Sequence, residues 1–217
     1  MPQPIFITGI GTGVGKTLVS AIVTEALRAD YWKPVQAGFD DGTDSKWIKN
    51  VLSDSMCIVY PELYTLKMAA SPHIAAREEN IHISINAIKK NLEEIMQAPG
   101  HKYEGLVIEG AGGLLVPLNE KEFVADLIKH LQAKVILVSR NYLGSINHSL
   151  LTAEVCRYYK LDVLGWIFND QYLAYEDEIM HWSGFPKIGT IPFTANPDKK
   201  FIQGQALLIR DALKKII

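Results

Sequence analysis

Residues 6–20 read FITGIGTGVGKTLVS and carry the clearest structural signal in the sequence. An apolar run over residues 4–10 enters a glycine-rich turn, and an apolar pattern with helical spacing follows Gly15, Lys16 and Thr17. Strand, turn and helix in this order form the setting of a phosphate-binding loop. Glycines let backbone N–H groups close around phosphate oxygens, and the helix N-terminus adds partial positive charge. The stretch therefore predicts a nucleotide site in which Lys16 reaches the outer phosphates and the Thr17 hydroxyl binds Mg²⁺.

The spacing of the loop departs from the usual rule. Counting back from Gly15 by the pattern G-x-x-x-x-G-K-[ST] leads to Ile10, whereas the glycine is at Gly9. The loop is thus a longer variant. The alternative is a glycine-rich turn that carries a Gly-Lys-Thr sequence by chance, and the strand before it and the helix after it favour the phosphate loop.

Length, composition and charge limit the possible functions. The 217 residues, with 48% hydrophobic and 21% charged side chains, are typical of one globular domain over residues 1–217. The net charge is −2 and no long basic run occurs, so nucleic acid is not the expected partner. Cys57 and Cys156 match no metal-binding or CxxC spacing, and no signal-peptide pattern or membrane-length apolar run is present. We expect a cytoplasmic protein with small-molecule partners and no membrane association.

Apolar strand patterns alternate with helical patterns along the chain, which predicts an α/β fold. The expected architecture is a single-domain P-loop NTPase-like fold with a mostly parallel central sheet and helices on both faces. Residues 57–83 have no clear pattern, whereas Ser84 is expected to cap an amphipathic helix. The predicted strands cover residues 4–10, 31–35, 106–108, 135–138, 163–168 and Lys187–Ile191.

Lys33 belongs to a short strand pattern, YWKPV, in which Pro34 cannot donate to a ladder. Lys33 should therefore lie where the strand leaves the sheet, at the carboxyl end where ligands of α/β sheets bind. Its position alone leaves open whether it is a site lysine or a solvated surface lysine.

Acidic residues offer candidate metal ligands in two places. Asp40, Asp41 and Asp44 lie in a loop where each could hold Mg²⁺, although a solvated acidic turn is the commoner meaning of such a cluster, and Asp44 is a plausible helix N-cap. Glu109 ends a buried strand pattern and is followed by glycines that let the backbone approach a ligand. A strand-end glutamate that caps its own turn is the alternative, and the neighbouring glycines favour the metal site.

Several segments together resemble the dethiobiotin synthetase family, in its order and with its spacing. The similarity extends to about Pro197. The segments are FITGIGTGVGKT (6–17), YWKPVQAG (31–38), GTDS (42–45), SPHIAA (71–76), VIEGAGGLLVPL (107–118), LGSINHSLLTAE (143–154), GWIFND (165–170) and IGTIPF (188–193).

The resemblance implies ATP-dependent, ring-forming carboxylation of 7,8-diaminopelargonate with CO₂ or bicarbonate, with Mg²⁺ as cofactor. It implies that Lys33, Lys16 and Thr12 act in catalysis and that Thr17, Asp44 and Glu109 hold the metal. The same metal-binding residues contact ATP. The other ATP contacts that it implies are Gly13, Val14, Gly15, Lys16, Leu18, Gly110, Ala111, Gly112, Asn169, Asp170, Ile191, Pro192 and Phe193.

The resemblance also implies a homodimer. In the family the substrate carboxylate meets a helix N-terminus across the dimer interface, and the matching residues here are Gly144, Ser145, Ile146 and Asn147. Residues 139–147 are themselves a strand-to-helix turn whose free N–H groups suit an anion. Thr12 and Ala37 complete the implied substrate contacts.

The chain departs from the family at three positions. Ala37 stands where a hydroxyl residue is usual, and Gly11 and Gly13 replace acidic residues often seen in the loop. Recognition of the substrate amines is therefore expected to differ, whereas the lysines and metal ligands are retained.

Two other classes of protein are alternatives to this family. Amidoligases of the cobyrinate type usually carry a glutamine-hydrolysing domain, and this chain is too short to hold one. Partitioning ATPases usually carry a second lysine early in the loop, where this chain has Gly11. Switch GTPases need an N-K-x-D motif to read guanine, and the sequence Asn169-Asp170-Gln171 does not match it.

Overall fold

The strand, turn and helix expected around residues 6–20 are present in the structure, a computed structural model that describes residues 3–39, 42–54, 56–98, 105–170 and 173–217. Strand β1 spans Ile5–Gly9 and helix α1 spans Lys16–Leu27. In the described ranges the other strands are β2 Asp30–Trp32, β3 Val35–Ala37, β4 Val59–Tyr60, β5 Tyr64–Leu66, β6 Leu106–Gly113, β7 Lys134–Arg140, β8 Asp162–Asn169 and β9 Lys187–Ile191. The other helices are α2 Asp44–Val51, α3 Pro72–Glu78, α4 Ile85–Gln97, α5 Val124–Leu131, α6 Ser145–Tyr159, α7 Glu176–Ser183 and α8 Lys199–Ile216.

Within the described residues, seven strands form the main sheet in the order β4-β2-β6-β1-β7-β8-β9, and each pair of neighbours is parallel. The central strands are apolar on both sides because helices cover both faces. On β1, for example, Phe6 belongs to one buried cluster, and Ile5 and Ile7 belong to the cluster on the opposite face. The α/β fold with a parallel sheet and helices on both faces is confirmed.

The two faces are covered by different helices. One core cluster contains side chains of α3, α4, α5, α6 and α7, and the other contains those of α1, α2 and α8. The predicted α4 pattern is confirmed: its apolar stripe is buried, and the Ser84 hydroxyl accepts from the Ala87 amide at 3.3 Å. None of the helices in the described ranges is both long and apolar enough to cross a membrane.

The strand expected over residues 31–35 is divided in the structure. Its pairing with β6 stops at Trp32, and the chain bends at Pro34, which has no N–H to offer to a ladder. After the bend β3 pairs with β5 in a separate two-stranded sheet. Lys33 therefore occupies the junction between the two sheets.

Helix α2 begins earlier than expected and has a different cap. The expected N-cap, Asp44, is the first residue of the helix, and Thr43 is the cap, since its hydroxyl accepts from the Lys46 amide at 3.3 Å. A threonine at this position satisfies a donor of the first turn, while the Asp44 carboxylate benefits from the positive end of the helix. Asp40 and Asp41 lie outside the described residues.

Candidate active site

A cavity of about 700 Å³ opens where β1, β2 and β6 end. It lies at the carboxyl edge of the parallel sheet, where α/β proteins bind their ligands. It brings together many of the predicted site residues: Thr12, Gly13, Gly15, Lys16, Thr17, Lys33, Ala37, Asp44, Glu109, Ala111 and Gly112.

The register of β2 against β6 explains why these side chains meet. Tyr31 lies opposite Val107 and Trp32 opposite Ile108, so one further step along each strand brings Lys33 alongside Glu109. Side chains two residues apart share a face of the sheet. Tyr31, Lys33 and Glu109 therefore project to the face that α1 covers, with Thr17 in the first turn of that helix.

Glu109 is the centre of the resulting polar network. Its Oε1 accepts from the Thr17 hydroxyl and from the Lys33 ammonium, each at 2.9 Å. Its Oε2 accepts from the Tyr31 hydroxyl at 2.8 Å. Lys33 also forms an ion pair with Asp44, so its ammonium joins the two carboxylates that were predicted to hold a metal.

Both Lys33 and Tyr31 remain protonated in this network. Burial alone would lower the pKa of Lys33, but the negative charges of Glu109 and Asp44 outweigh burial and raise it. Burial and the adjacent Glu109 carboxylate raise the pKa of Tyr31 well above its ordinary value. At neutral pH the network therefore contains an ammonium and a neutral phenol donor.

Lys16 lines the same cavity. Its Nζ donates to the Gly11 carbonyl at 2.7 Å, which folds the side chain back along the loop. Burial lowers the pKa of Lys16 to about 8, although the charge of Glu109 opposes this shift. Lys16 and Lys33 line one cavity, so both lysines can act on a single anionic ligand.

Gly15 is required by the packing of the loop. Its φ is +94°, a left-handed conformation that side chains rarely adopt, and a Cβ there would lie 1.9 Å from Nδ2 of Asn169. The same Nδ2 donates to the Val14 carbonyl at 2.9 Å. Asn169 thus connects the end of β8 to the phosphate loop.

Five of the implied ATP contacts lie at or just after the ends of β8 and β9: Asn169, Asp170, Ile191, Pro192 and Phe193. The Asp170 amide donates to the Ile191 carbonyl at 2.9 Å, which joins the ends of β8 and β9 next to Asn169. Ile191 is buried, whereas Pro192 is exposed and the Phe193 side chain is 68% exposed. Asp170 also lines a second cavity, of about 550 Å³, together with the loop from Gly11 to Val14.

The other predicted residues lie outside the cavity lining. Leu18 belongs to the first turn of α1, and Gly110 follows Glu109 in β6. The segment Gly144, Ser145, Ile146 and Asn147 forms the N-terminus of α6. Ser145 is buried, and its hydroxyl accepts from the Tyr142 amide at 3.3 Å, whereas Gly144 and Asn147 are exposed.

Sequence reasoning missed Tyr31 and Gln36. The Gln36 amide accepts from the Asp44 backbone N–H at 3.3 Å and donates to the Gly38 carbonyl at 2.7 Å, so it holds the start of α2 against β3. Tyr31 lies two residues before Lys33, and the alternation of a strand could have pointed to it. The SPHIAA segment contributes Ser71 and Pro72 to the cavity.

The donor atoms in the cavity suit a hard divalent cation. Thr17 offers a hydroxyl, and Asp44 and Glu109 offer carboxylates, so the oxygen-only set matches the preference of Mg²⁺. Two carboxylates and one hydroxyl leave further positions for phosphate oxygens and water, as is usual for Mg²⁺ at a nucleotide. The residues present therefore fit the metal.

Space around the loop is open at two positions where the family often has acids. A Cβ at Gly11 or at Gly13 would meet no atom within 4 Å. Packing therefore leaves room for a Cβ at both positions.

Solved structures of other proteins share the overall fold of this chain. The cell division ATPase MinD of Pyrococcus furiosus superposes with a TM-score of 0.61 at 12% identity, with 100% of each chain covered. A plasmid partition protein from Borrelia burgdorferi gives a TM-score of 0.58 at 15% identity, also with full coverage. At such low identity the likeness establishes the fold alone.

Sequence comparison is more specific. A family described as an AAA domain matches residues 3–199. A protein named ATP-dependent dethiobiotin synthetase BioD from Cytophaga hutchinsonii is 54% identical over 164 residues, which cover 76% of this chain and 75% of that protein. The protein of the same name from Christiangramia forsetii is 43% identical over 217 residues, the full length of both chains. With this similarity along its whole length, and with the lysines and carboxylates of the resemblance gathered in one cavity, the chain belongs to the ATP-dependent dethiobiotin synthetase family.

Proposed function

We propose that this protein forms dethiobiotin from 7,8-diaminopelargonate, CO₂ and ATP, with release of ADP and phosphate. One substrate amine adds to CO₂ and loses a proton, which gives a carbamate. A carbamate oxygen then attacks the γ-phosphorus of ATP and ADP leaves. Finally the second amine attacks the carbamoyl carbon, phosphate leaves, and the five-membered ureido ring closes with loss of a proton.

The observation that carries the proposal is the position of Lys16 and Lys33 on one cavity, with Thr17 and Glu109 in the same lining. Phosphoryl transfer spreads negative charge over oxygens, and positioned cations stabilise that charge with little covalent chemistry by the protein. We assign the outer phosphates to Lys16 and the loop amides. We assign the carbamate and the transferred phosphoryl group to Lys33, with Thr12 beside them.

Thr17, Asp44 and Glu109 would hold Mg²⁺, which when bound would neutralise charge on the phosphates. The oxygen-only donor set supports this assignment. Lys33 contacts both carboxylates. In our proposal its ammonium turns from them toward the phosphoryl group when nucleotide binds.

The base of ATP is assigned to the ends of β8 and β9. Asn169 offers an amide that can read the edge of a purine, and Asp170 and Ile191 lie next to it. The exposed Phe193 ring offers an apolar surface for the base. We assign the backbone of Gly110, Ala111 and Gly112 to contacts with the ATP phosphates, on the side that faces the substrate.

The active form is proposed to be a homodimer. Leu115, Leu151 and Tyr158 are 51%, 57% and 83% exposed, and Leu115 and Leu151 line one groove together with Thr12 of the loop. A second copy seated on this apolar face would bring its own α6 N-terminus toward the cavity. Gly144, Ser145, Ile146 and Asn147 of that copy would then receive the substrate carboxylate, because a helix N-terminus favours an anion.

The proposal includes one P-loop domain over the chain, a cytoplasmic location and small-molecule partners only. The match of one family to residues 3–199 supports the first point. The net charge of −2 supports the absence of a polyanionic partner.

Mass detection of the product tests the proposal. The protein is incubated with 7,8-diaminopelargonate, Mg²⁺, ATP and carbon-13-labelled bicarbonate. We expect dethiobiotin that is one mass unit heavier than the product from unlabelled bicarbonate, and no product without ATP. ATP hydrolysis that does not depend on the diamine, with no labelled ring product, would contradict the proposal.

A further inference from the structure

The two oxygens of the Glu109 carboxylate have different hydrogen-bond partners, which lie on opposite sides of the carboxylate. Oε1 faces the cavity and accepts from Thr17 and Lys33, whereas Oε2 accepts from the Tyr31 hydroxyl. We propose that Tyr31 is a positioning residue whose buried hydroxyl fixes the Glu109 carboxylate so that Oε1 is presented to the divalent cation. The inference rests on the proposed function, in which Glu109 is a metal ligand.

The surroundings of Tyr31 make its hydroxyl decisive for the orientation of the carboxylate. Tyr31 is fully buried, and it belongs to the same apolar cluster as Ile7 and Val107. An ionised carboxylate oxygen directed at that cluster needs a donor, and Tyr31 supplies one at 2.8 Å. Without this hydroxyl, Oε2 would lack a donor, and the carboxylate would rotate toward Lys33 or solvent to gain one.

Strand geometry places the Tyr31 hydroxyl on the side of the Glu109 carboxylate that faces away from the cavity. Tyr31 is paired with Val107, two residues before Glu109, so it approaches from the amino-terminal side of the site. The cavity lining includes Glu109 and Lys33 but does not include Tyr31. Tyr31 therefore acts through Glu109 and touches neither nucleotide nor substrate. Outer partners of metal ligands commonly set the orientation of the ligand in this way.

Tyr31→Phe tests the inference because it removes the hydroxyl and keeps the ring. Tyr60→Phe is a matched control on the edge strand β4, where the Tyr60 hydroxyl contacts Asp30 at 3.5 Å, outside the cavity lining. Glu109→Gln reports whether Glu109 binds metal at all. The probe is Mn²⁺, titrated against each folded protein in the presence of ADP and followed by electron paramagnetic resonance.

We expect Tyr31→Phe to weaken Mn²⁺ binding about 10-fold, the lower end of the range for outer partners of metal ligands. ADP binding in EDTA should stay at the wild-type value, and Tyr60→Phe should match wild type in both measurements. A purely structural role would lower the unfolding temperature of Tyr31→Phe without moving the Mn²⁺ titration. The Mg²⁺ concentration for half-maximal turnover should rise in parallel, while turnover at saturating Mg²⁺ largely recovers.

Two outcomes would overturn the inference, and they are distinguishable. If Glu109→Gln weakens Mn²⁺ binding and Tyr31→Phe does not, the inference is wrong and the metal role of Glu109 stands. If Glu109→Gln also leaves Mn²⁺ binding unchanged, the metal role assigned to Glu109 is wrong and the inference falls with it.

Discussion

The Lys33 ammonium lies 2.9 Å from Oε1 of Glu109 and pairs at the same time with Asp44. A buried cation between two carboxylates compensates charges that would otherwise repel each other. The same two carboxylates are the proposed metal ligands, so in our proposal a divalent cation and the ammonium would compete for them. Lys33 would then be released to meet the phosphoryl group when metal and nucleotide bind.

Replacement of Lys33 by alanine should abolish most turnover and retain nucleotide binding. The phosphate loop is intact in Lys33→Ala, but the charge that develops in phosphoryl transfer loses a positioned cation. Loss of one such group typically lowers kcat by about 10²–10³-fold. ADP titration and the rate of dethiobiotin formation provide the two measurements.

Replacement of a lysine outside the site is the control for the lost positive charge in Lys33→Ala. Lys187 pairs with Glu176 at 3.0 Å on β9, so Lys187→Ala removes an ion pair without touching the cavity lining. Its turnover should equal that of wild type. Near-normal turnover in Lys33→Ala would remove Lys33 from the catalytic residues.

A methyl group at Gly15 should displace the phosphate loop. The new Cβ would overlap Nδ2 of Asn169, 1.9 Å away, at a φ of +94°. Backbone strain of this kind costs about 1–3 kcal/mol, and we expect Gly15→Ala to lose both stability and ADP affinity. Urea unfolding and ADP titration measure the two effects.

Gly11→Ala is the matched control because its Cβ would enter open space. It should retain the ADP affinity and the unfolding midpoint of wild type. Adding Asn169→Ala to Gly15→Ala should restore part of the lost stability, since the overlap disappears and only the φ strain remains. Equal stability of Gly15→Ala and wild type would show that the loop can move at no cost.

ADP affinity in EDTA should fall as the pH rises above about 8. Burial lowers the pKa of Lys16 to about 8, so below this pH the free protein already carries the ammonium that meets the phosphates. Above it the side chain is neutral, and binding the anion requires uptake of one proton. The affinity should then fall by up to about tenfold per pH unit.

The Lys16→Met variant isolates this effect. It should bind ADP more weakly than wild type at pH 7, and its ADP affinity should not decrease above pH 8. Calorimetric titrations in buffers of different ionisation enthalpy would also detect the proton taken up by wild type. An affinity that is the same on both sides of pH 8 in wild type would contradict the lowered pKa.

A charge on the exposed face of α6 should break the proposed dimer. Leu151 is 57% exposed and lines the apolar groove beside the loop. Leu151→Glu should convert the protein to monomers in sedimentation velocity and lower turnover, because the substrate carboxylate loses its helix N-terminus. Leu208→Glu is the control: Leu208 is 75% exposed on α8, which covers the opposite face of the sheet. Wild type that sediments as a monomer would contradict the proposal outright.

The sequence predicted those strands, helices and caps that depend on interactions between residues close together in the chain. The apolar run of β1, the alternation of helix and strand patterns and the Ser84 cap each depend on neighbouring residues, and each is present. The strand Lys187–Ile191 was predicted with its observed bounds. Lys33 was expected at the end of a strand near Lys16, because Pro34 is visible in the sequence as a break.

Relationships between distant segments were not predictable in the same way. The pairing of β3 with β5 joins residues about thirty positions apart in a part of the chain without clear periodicity. The contact between Asn169 and Gly15 requires coordinates, since no local pattern connects the end of β8 with the loop. Strand alternation places Tyr31 on the same face as Lys33, but its contact with Glu109 also depends on the register between β2 and β6.

The division of the predicted strand at Pro34 has a consequence for protein engineering. Because alternate residues of a strand face opposite sides, one residue added or removed just before the bend would send the amine of Lys33 to the wrong side of the sheet. The number of residues between Trp32 and Val35 is therefore as important for the site as the identity of Lys33. Grafts and loop exchanges in this family should preserve that spacing, whereas the length of surface turns far from the cavity can vary.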